Sequence, residues 1–358
     1  VTTTLPTTPA RPEPAIQRDG ITVFHGDAID LLSRLEPASV HALITDPPYG
    51  LSFNGNRWDG ADGFRESLTD VDTSSMSDAD VFEEWCTAWG RGALHALKPG
   101  AHVAAFGGTR TWHRMVHGLE RAGLEIRDQI AWLHSAGMPK SMDVSYALDK
   151  HHGVQRPDRQ VQQGQTEGIL GITRSVDDHG TPVTEDAQKW DGYGTALRPA
   201  FEPIVIARAP MSSTTVNNLL EHGTGGLGID AGRFGDGKWP TNAALDPGQA
   251  DALDVLTGTW DSDEPTSRRF PIFRFETKPG PAERPRAFGV SHATVKPLAL
   301  MRWLVSLLTP PGGIVLEPFA GSGTTIEAAA LAGFQVVAIE RDESYLPLIE
   351  SRLDRLHG

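Results

Sequence analysis

Cysteine is all but missing from this 358-residue chain. Cys86 stands alone, which rules out an internal disulfide and any cysteine-based metal cluster. Both exclusions fit a reducing cytoplasm. Long apolar runs are missing too: none approaches the roughly 20 residues that a membrane-spanning helix needs, so no membrane is expected. Positive charge is scarce, with 32 Lys and Arg against 46 Asp and Glu and a formal net charge of −14. As a sum, that argues against a nucleic-acid partner, because phosphate contacts need Lys and Arg. The distribution matters more than the sum. Arg268, Arg269, Arg274, Lys278, Arg284 and Arg286 crowd one short stretch with only Glu276 and Glu283 among them, while acidic residues collect between Asp59 and Asp80 and between Asp177 and Asp191. A solvated loop and a nucleic-acid-facing loop both fit such a basic run. His151, His152, His179 and His222 have no acidic or cysteine partners at ligand spacing, so they read as surface histidines and no metal is expected.

Glycine (38) and proline (26) are plentiful, which implies many turns and long loops, and an apolar fraction of 39% allows a sizeable core. Residues 1–18 are Thr- and Pro-rich without an apolar h-region, and read as a disordered tail. Strands are expected at Ile21–Phe24 and Val40–Thr45, with a short helix, Ala28–Leu35, between them. Asp78–Leu97 is an amphipathic helix with Val81, Phe82, Trp85, Trp89, Leu94 and Leu97 on one stripe, stopped by Pro99-Gly100. A buried strand, Ala101–Phe106, a helix, Thr111–Ala122, and a strand, Leu124–His134, follow. From His151 to Tyr193 the pattern dissolves into what reads as a long flexible insertion. Phe201–Arg208 recovers a strand, and Val216–Pro285 is loop-rich.

The last part of the chain is the most regular: helix Leu298–Leu308, strand Ile314–Glu317, helix Thr324–Ala332, strand Gln335–Glu340 and a closing helix, Glu343–Leu356. Alternating strands and helices predict an α/β fold, a Rossmann-like, mostly parallel, doubly wound sheet. Regular units at both ends predict one sheet assembled from 19–150 and 291–358, with 151–290 inserted between them.

Val315-Leu316-Glu317-Pro318-Phe319-Ala320-Gly321-Ser322-Gly323-Thr324-Thr325 is strand, tight loop, helix. Its glycines let backbone pass close to a ligand at the strand's carboxyl end. No Lys follows the last glycine, so it is not a triphosphate loop, and the third glycine of a dinucleotide fingerprint is missing. Alone, a structural turn explains it. The next strand, however, ends in Glu340, an acid at the spacing that suits bidentate bonding to ribose hydroxyls. Loop and acid together suit a nucleoside without a phosphate chain.

Leu43-Ile44-Thr45-Asp46-Pro47-Pro48-Tyr49-Gly50 puts an acid, two rigid residues and an aromatic at another strand end, where open α/β sheets carry their chemistry. The prolines fix φ and remove two amide donors, leaving a stiff acceptor cluster of the Asp46 carboxylate and a nearby main-chain carbonyl. Tyr49 adds a flat face on which a base can stack. A plain proline-rich turn also fits the tetrapeptide alone.

The two motifs together resemble the β-class DNA amino-methyltransferases, which make N6-methyladenine or N4-methylcytosine. In that class (D/N/S)-P-P-(Y/F/W) precedes the glycine-rich motif, with target recognition between, as here. His292-Ala293-Thr294-Val295-Lys296-Pro297 resembles the family's H-P-T-x-K-P segment, with Ala293 in place of the usual proline. Glu317 stands where Asp is commoner. The resemblance implies S-adenosylmethionine as cofactor, double-stranded DNA as substrate, and a homodimer as an expected assembly. It implies that Asp46, Pro47, Pro48 and Tyr49 are catalytic. Asp27, Phe106, Gly107, Lys296, Glu317, Phe319, Gly321, Gly323, Thr324, Thr325 and Glu340 are the implied cofactor residues. Arg268, Arg269, Arg274 and Lys278 are the expected DNA contacts. Cytosine C5 methylation needs a cysteine nucleophile, and Cys86 lies in a helical core stripe. Asp in the first motif position is commoner among adenine enzymes, which favours N6-adenine over N4-cytosine.

Overall fold

The computed structural model describes residues 12–52, 55–134, 141–157, 180–258, 264–273 and 295–356. The chain falls into two compact units, one of Val1–Ser135 with Phe201–Gly358 and a smaller one of Ala136–Ala200.

The larger unit is built on a sheet of strands β1 (Ile16–Arg18), β2 (Ile21–His25), β3 (Val40–Thr45), β4 (Leu97–Phe106), β5 (Glu125–Leu133), β6 (Phe201–Arg208), β7 (Ala243–Leu245), β8 (Ile314–Glu317) and β9 (Gln335–Glu340). Their order is β1-β2-β9-β8-β3-β4-β6-β5-β7. β2, β9, β8, β3 and β4 run parallel, while β6 runs against β4 and β5. β8 and β9, from the end of the chain, lie between β2 and β3, from its beginning, so both ends build the sheet, but β6 and β7, from within the expected 151–290 insertion, are strands of it too.

The helices of this unit are α1 (Ala28–Leu32), α2 (Ala61–Ser67), α3 (Asp78–Ala96) and α4 (Trp112–Arg121), and the smaller unit holds α5 (Val144–His151) and α6 (Glu185–Lys189). The larger unit continues with α7 (Thr215–His222), α8 (Pro247–Thr257), α9 (Leu298–Leu308), α10 (Thr324–Leu331) and α11 (Leu346–Arg355). A strand sends successive side chains to opposite faces. Ala42 and Ile44 of β3 accordingly join the cluster containing α9 and α10, and Leu43 joins the one containing α3. Helices therefore cover both faces, which is why the central strands read as continuous apolar runs. On α3, Val81, Phe82, Trp85, Cys86 and Trp89 are all buried. Each large apolar side chain buried there stabilises the fold by roughly 1.5–3 kcal/mol.

Four sequence expectations change. Ile16–Arg18, read as tail, forms β1 instead, because Ile16 buries its side chain and pairs with Val23 of β2. Pro99-Gly100 does not end a helix before a new element. α3 stops at Ala96 and β4 begins at once, with Pro99 and Gly100 inside the strand. The register slips there between Val40 and Ala42, a bulge that accommodates a residue without an amide donor and a Gly100 with φ of 79°. The closing helix is preceded by a 3₁₀ turn, Glu343–Tyr345, and α11 starts where Pro347 can occupy a first-turn position that needs no amide. The stretch from His151 to Tyr193 is not structureless throughout. Within the smaller unit Asp149 accepts from the Thr184 and Val183 amides and pairs with Arg156 at 2.6 Å. These contacts hold Asp149 far below the usual carboxylate range against the cost of burial.

Candidate active site

β2, β3, β4, β8 and β9 all point their carboxyl ends at one edge of the sheet, and β6, running the other way, brings its first residues there. At the tip of β3 the Asp46 carboxylate is held on both sides. Lys296 Nζ lies 2.6 Å from Oδ2, and the Tyr49 hydroxyl donates to Oδ1 at 2.7 Å. Lys296 also lies 3.2 Å from Glu202 Oε2, and its ammonium sits 4.9 Å from the centre of the buried Phe106 ring. Burial works against that ammonium, but Asp46 and Glu202 outweigh it and hold its pKa above the ordinary lysine value. Burial, with Asp46 and Glu202 adding to it, pushes the Tyr49 phenol well above its ordinary pKa, so it remains a donor.

The loop's backbone is fixed from outside. Asp59, itself buried, accepts from the amides of Tyr49 (2.6 Å) and Gly50 (2.8 Å), and the Thr111 hydroxyl donates to the Tyr49 carbonyl. Pro47 and Pro48 bring no amide that would need a partner.

At the tip of β8, Glu317 is fully buried. Its oxygens accept from the hydroxyls of Thr45 and Thr325 and from the Phe319 amide, so it ties the end of β3 to the glycine loop. Burial raises its pKa to about 8, against the lowering effect of those donors. Gly321 and Gly323 adopt φ of 52° and 81°, left-handed values that favour glycine and let the chain turn into α10. At the tip of β9, Glu340 accepts from the amides of Gly321 (2.6 Å) and Asp342 (2.7 Å). Burial raises its pKa to about 7. The neighbouring tip of β2 carries Asp27, which caps α1 through the Ile29 amide and accepts from Ser67. The Gly26 amide donates to the Glu340 carbonyl.

The expected residues therefore meet in two adjoining groups. Asp46, Pro47, Pro48, Tyr49, Phe106 and Lys296 form one. Asp27, Glu317, Gly321, Gly323, Thr324, Thr325 and Glu340 form the other. Lys296 and Phe106, expected on the cofactor side, lie against Asp46 and each other. Gly107 is anchored by its amide to the Pro203 carbonyl, and the Phe319 ring packs on Trp85 and Trp89. Arg268 and Arg269 are exposed at the end of a 3₁₀ turn, Thr266–Arg269, with Arg268 3.9 Å from Glu264. Arg274, Lys278 and His292–Thr294 lie outside the described residues. Sequence reasoning missed Glu202 and Asp59. An acid opening an otherwise apolar strand was a readable sign for Glu202, whereas nothing local marks Asp59.

Residues 40–351 match the DNA methylase family of the N6/N4 type. This chain belongs to that family. Among relatives of the N6/N4 methylase, the Type II methyltransferase M.HindIII of Haemophilus influenzae is 24% identical over 355 residues, covering 92% of this chain and 94% of its own. M2.DpnII of Streptococcus pneumoniae is 23% identical over 342 residues, covering 96% and 92%. The solved structure of the PvuII DNA methyltransferase (cytosine-N4-specific) shares the fold, with a TM-score of 0.50, 14% identity and coverage of 95% of this chain and 89% of that one. The protein is thus a DNA methyltransferase, and its cofactor is S-adenosylmethionine. The donor set suits that cofactor. Three carboxylates, Asp27, Glu317 and Glu340, surround a glycine turn, offering acceptors for hydroxyl and ammonium groups in place of cations for phosphates. Among the described residues no helix is long and apolar enough to cross a membrane.

Proposed function

We propose that this methylase modifies the N6 amino group of adenine in a nucleotide flipped out of double-stranded DNA, with Asp46, Pro47, Pro48 and Tyr49 as its catalytic loop. The observation that carries this reading is the Asp46 carboxylate, fixed by Lys296 and the Tyr49 hydroxyl beside the glycine loop. Asp in the first motif position favours adenine over cytosine.

The lone pair of an exocyclic amine is delocalised into the base. Acceptors that hold its hydrogens favour a pyramidal nitrogen with the pair freed. Asp46 and a carbonyl of the proline pair supply those acceptors, and the work is mostly positioning. Tyr49 stacks the base once it has left the duplex. When bound, S-adenosylmethionine would supply an electrophilic methyl on a cationic sulfur that departs as a neutral thioether, and the proton displaced from the nitrogen would pass to water.

Glu340 accepts from the ribose hydroxyls, and Asp27 lies at the adenine end. Phe106, Gly107, Lys296, Glu317, Phe319, Gly321, Gly323, Thr324 and Thr325 line the rest of the cofactor seat. Target recognition falls within residues 151–290, with Arg268, Arg269, Arg274 and Lys278 as the phosphate contacts. Nucleoside chromatography of DNA treated with protein and S-adenosylmethionine tests the reading. N6-methyladenine is expected. N4-methylcytosine would move the activity to the other base, and neither product would overturn it.

A further inference from the structure

The polar side chains around Asp46 share one hydroxyl proton between two acceptors. The Tyr49 hydroxyl lies 2.7 Å from Asp46 Oδ1 and 3.0 Å from Glu202 Oε2. A phenol has a single proton, so it serves one carboxylate at a time. Lys296 has three N–H donors. They point at Asp46 Oδ2, at Glu202 Oε2 and, across 3.1 Å, at the Tyr49 oxygen. His134 lies 3.8 Å from the other Glu202 oxygen.

Asp46 therefore faces a conflict. To hold an amino hydrogen it must turn an oxygen lone pair toward the base with its charge undiminished, yet Tyr49 and Lys296 each take one of the two lone pairs on its oxygens and draw that charge. We propose that Glu202 is the positioning residue that resolves this conflict: as the base docks, the Tyr49 hydroxyl turns its proton from Asp46 to Glu202, and Asp46 Oδ1 meets the amine as a stronger acceptor. No covalent bond is made or broken, and the phenol keeps its proton. Both acceptors lie within hydrogen-bond reach of the same oxygen, so the exchange needs a hydroxyl rotation and no shift of heavy atoms. Glu202 is in place for this because β6 is antiparallel to β4. Its opening residues, beside the Phe106–Ile204 pair, reach the same edge as the tip of β3. The inference rests on the reading of Asp46 as the amine's acceptor.

The test compares kcat and KM for Glu202→Gln, Tyr49→Phe and the double variant, with S-adenosylmethionine titration and thermal melting of each. Glu202→Gln should lower kcat by about ten- to a hundred-fold, the range of a charged hydrogen bond, with cofactor affinity and the KM for DNA close to wild type. Tyr49→Phe alone should lose less than about tenfold. Added to Glu202→Gln it should restore kcat, because no hydroxyl then competes for Asp46. A purely structural role for Glu202 would instead lower cofactor binding and melting temperature, and a second substitution would not repair it. A double variant as slow as Glu202→Gln, or a single variant at wild-type speed, would overturn the proposal. If Glu202→Gln does not fold, Glu202→Asp, which keeps the charge on a shorter arm, takes its place: a slowed enzyme restored by Tyr49→Phe supports the proposal, and one that stays slow overturns it. Asp46→Ala is measured alongside. An active Asp46→Ala removes the reading beneath the inference, whereas an inactive one beside an unimpaired Glu202→Gln removes the inference alone.

Discussion

The loop after β3 is stiffened by Pro47 and Pro48 and sets its carboxylate against an ammonium, whereas the loop after β8 turns on Gly321 and Gly323 and meets its glutamates with neutral donors. Lys296, buried between Asp46 and Glu202, is held in its charged form. Glu317 and Glu340 have hydroxyls and amides as their described hydrogen-bond donors, and burial pushes them up to about 8 and about 7. The Asp46 side thus carries its own counter-charge, while Glu317 and Glu340 meet neutral groups; on the proposed reading the ribose meets Glu340 and Glu317 is completed by a cation. S-adenosylmethionine brings two, an ammonium and a sulfonium.

Apart from loss of Asp46 itself, removing the stacking face should have the largest effect among the ways to break this contrast. Tyr49→Ala should slow transfer by up to about a hundred-fold, the worth of a base–aromatic stack, measured as single-turnover methylation of a duplex. On the cofactor side, Glu340→Ala should raise the dissociation constant for S-adenosylmethionine by about ten-fold or more, since it deletes a charged acceptor. Calorimetric titration reads this directly.

The raised glutamates also give the cofactor side a pH dependence. A cation at Glu317 and ribose hydroxyls donating to Glu340 both favour the ionised form, so binding releases protons and affinity should rise with pH up to about 8, by at most about tenfold per unit for each group. Glu317→Gln should flatten that rise. The same groups act oppositely on the cofactor-free fold. Their carboxyls bind protons more tightly when folded, so their contribution to stability is complete below the ordinary value of 4.5 and is lost as pH climbs through about 7 to 8. A melting temperature of the cofactor-free protein that rose over this range would contradict the assignment. The smallest effect is expected at the basic turn. Neutralising Arg268 and Arg269 should reduce the salt slope of DNA binding by about one per lost phosphate contact and leave cofactor affinity unchanged.

Periodicity made the ends of the chain legible. Buried parallel strands must be apolar runs, and Val40–Thr45, Ile314–Glu317 and Gln335–Glu340 stand where the pattern put them. The placement of Asp46, Tyr49, Gly321 and Glu340 at strand ends was readable because these motifs are local in sequence. Ile16–Arg18 and the Pro99-Gly100 bulge were not, because pairing with a distant strand overrides local composition. Glu202 was readable as an acid opening an apolar strand, but its place beside Asp46 was not, because that depends on β6 running antiparallel and on a lysine 94 residues away. Glu317 was legible as a loop acid. That it would bridge Thr45 and Thr325, and so join the two loops, came only from the register of β3 with β8.

The division between a catalytic loop and a cofactor loop is tested most directly by measuring S-adenosylmethionine binding and methyl transfer together in Asp46→Ala. The dissociation constant should stay close to wild type while transfer to DNA falls by about a hundred-fold or more. Wild-type turnover in Asp46→Ala, or loss of cofactor binding in step with activity, would contradict that division.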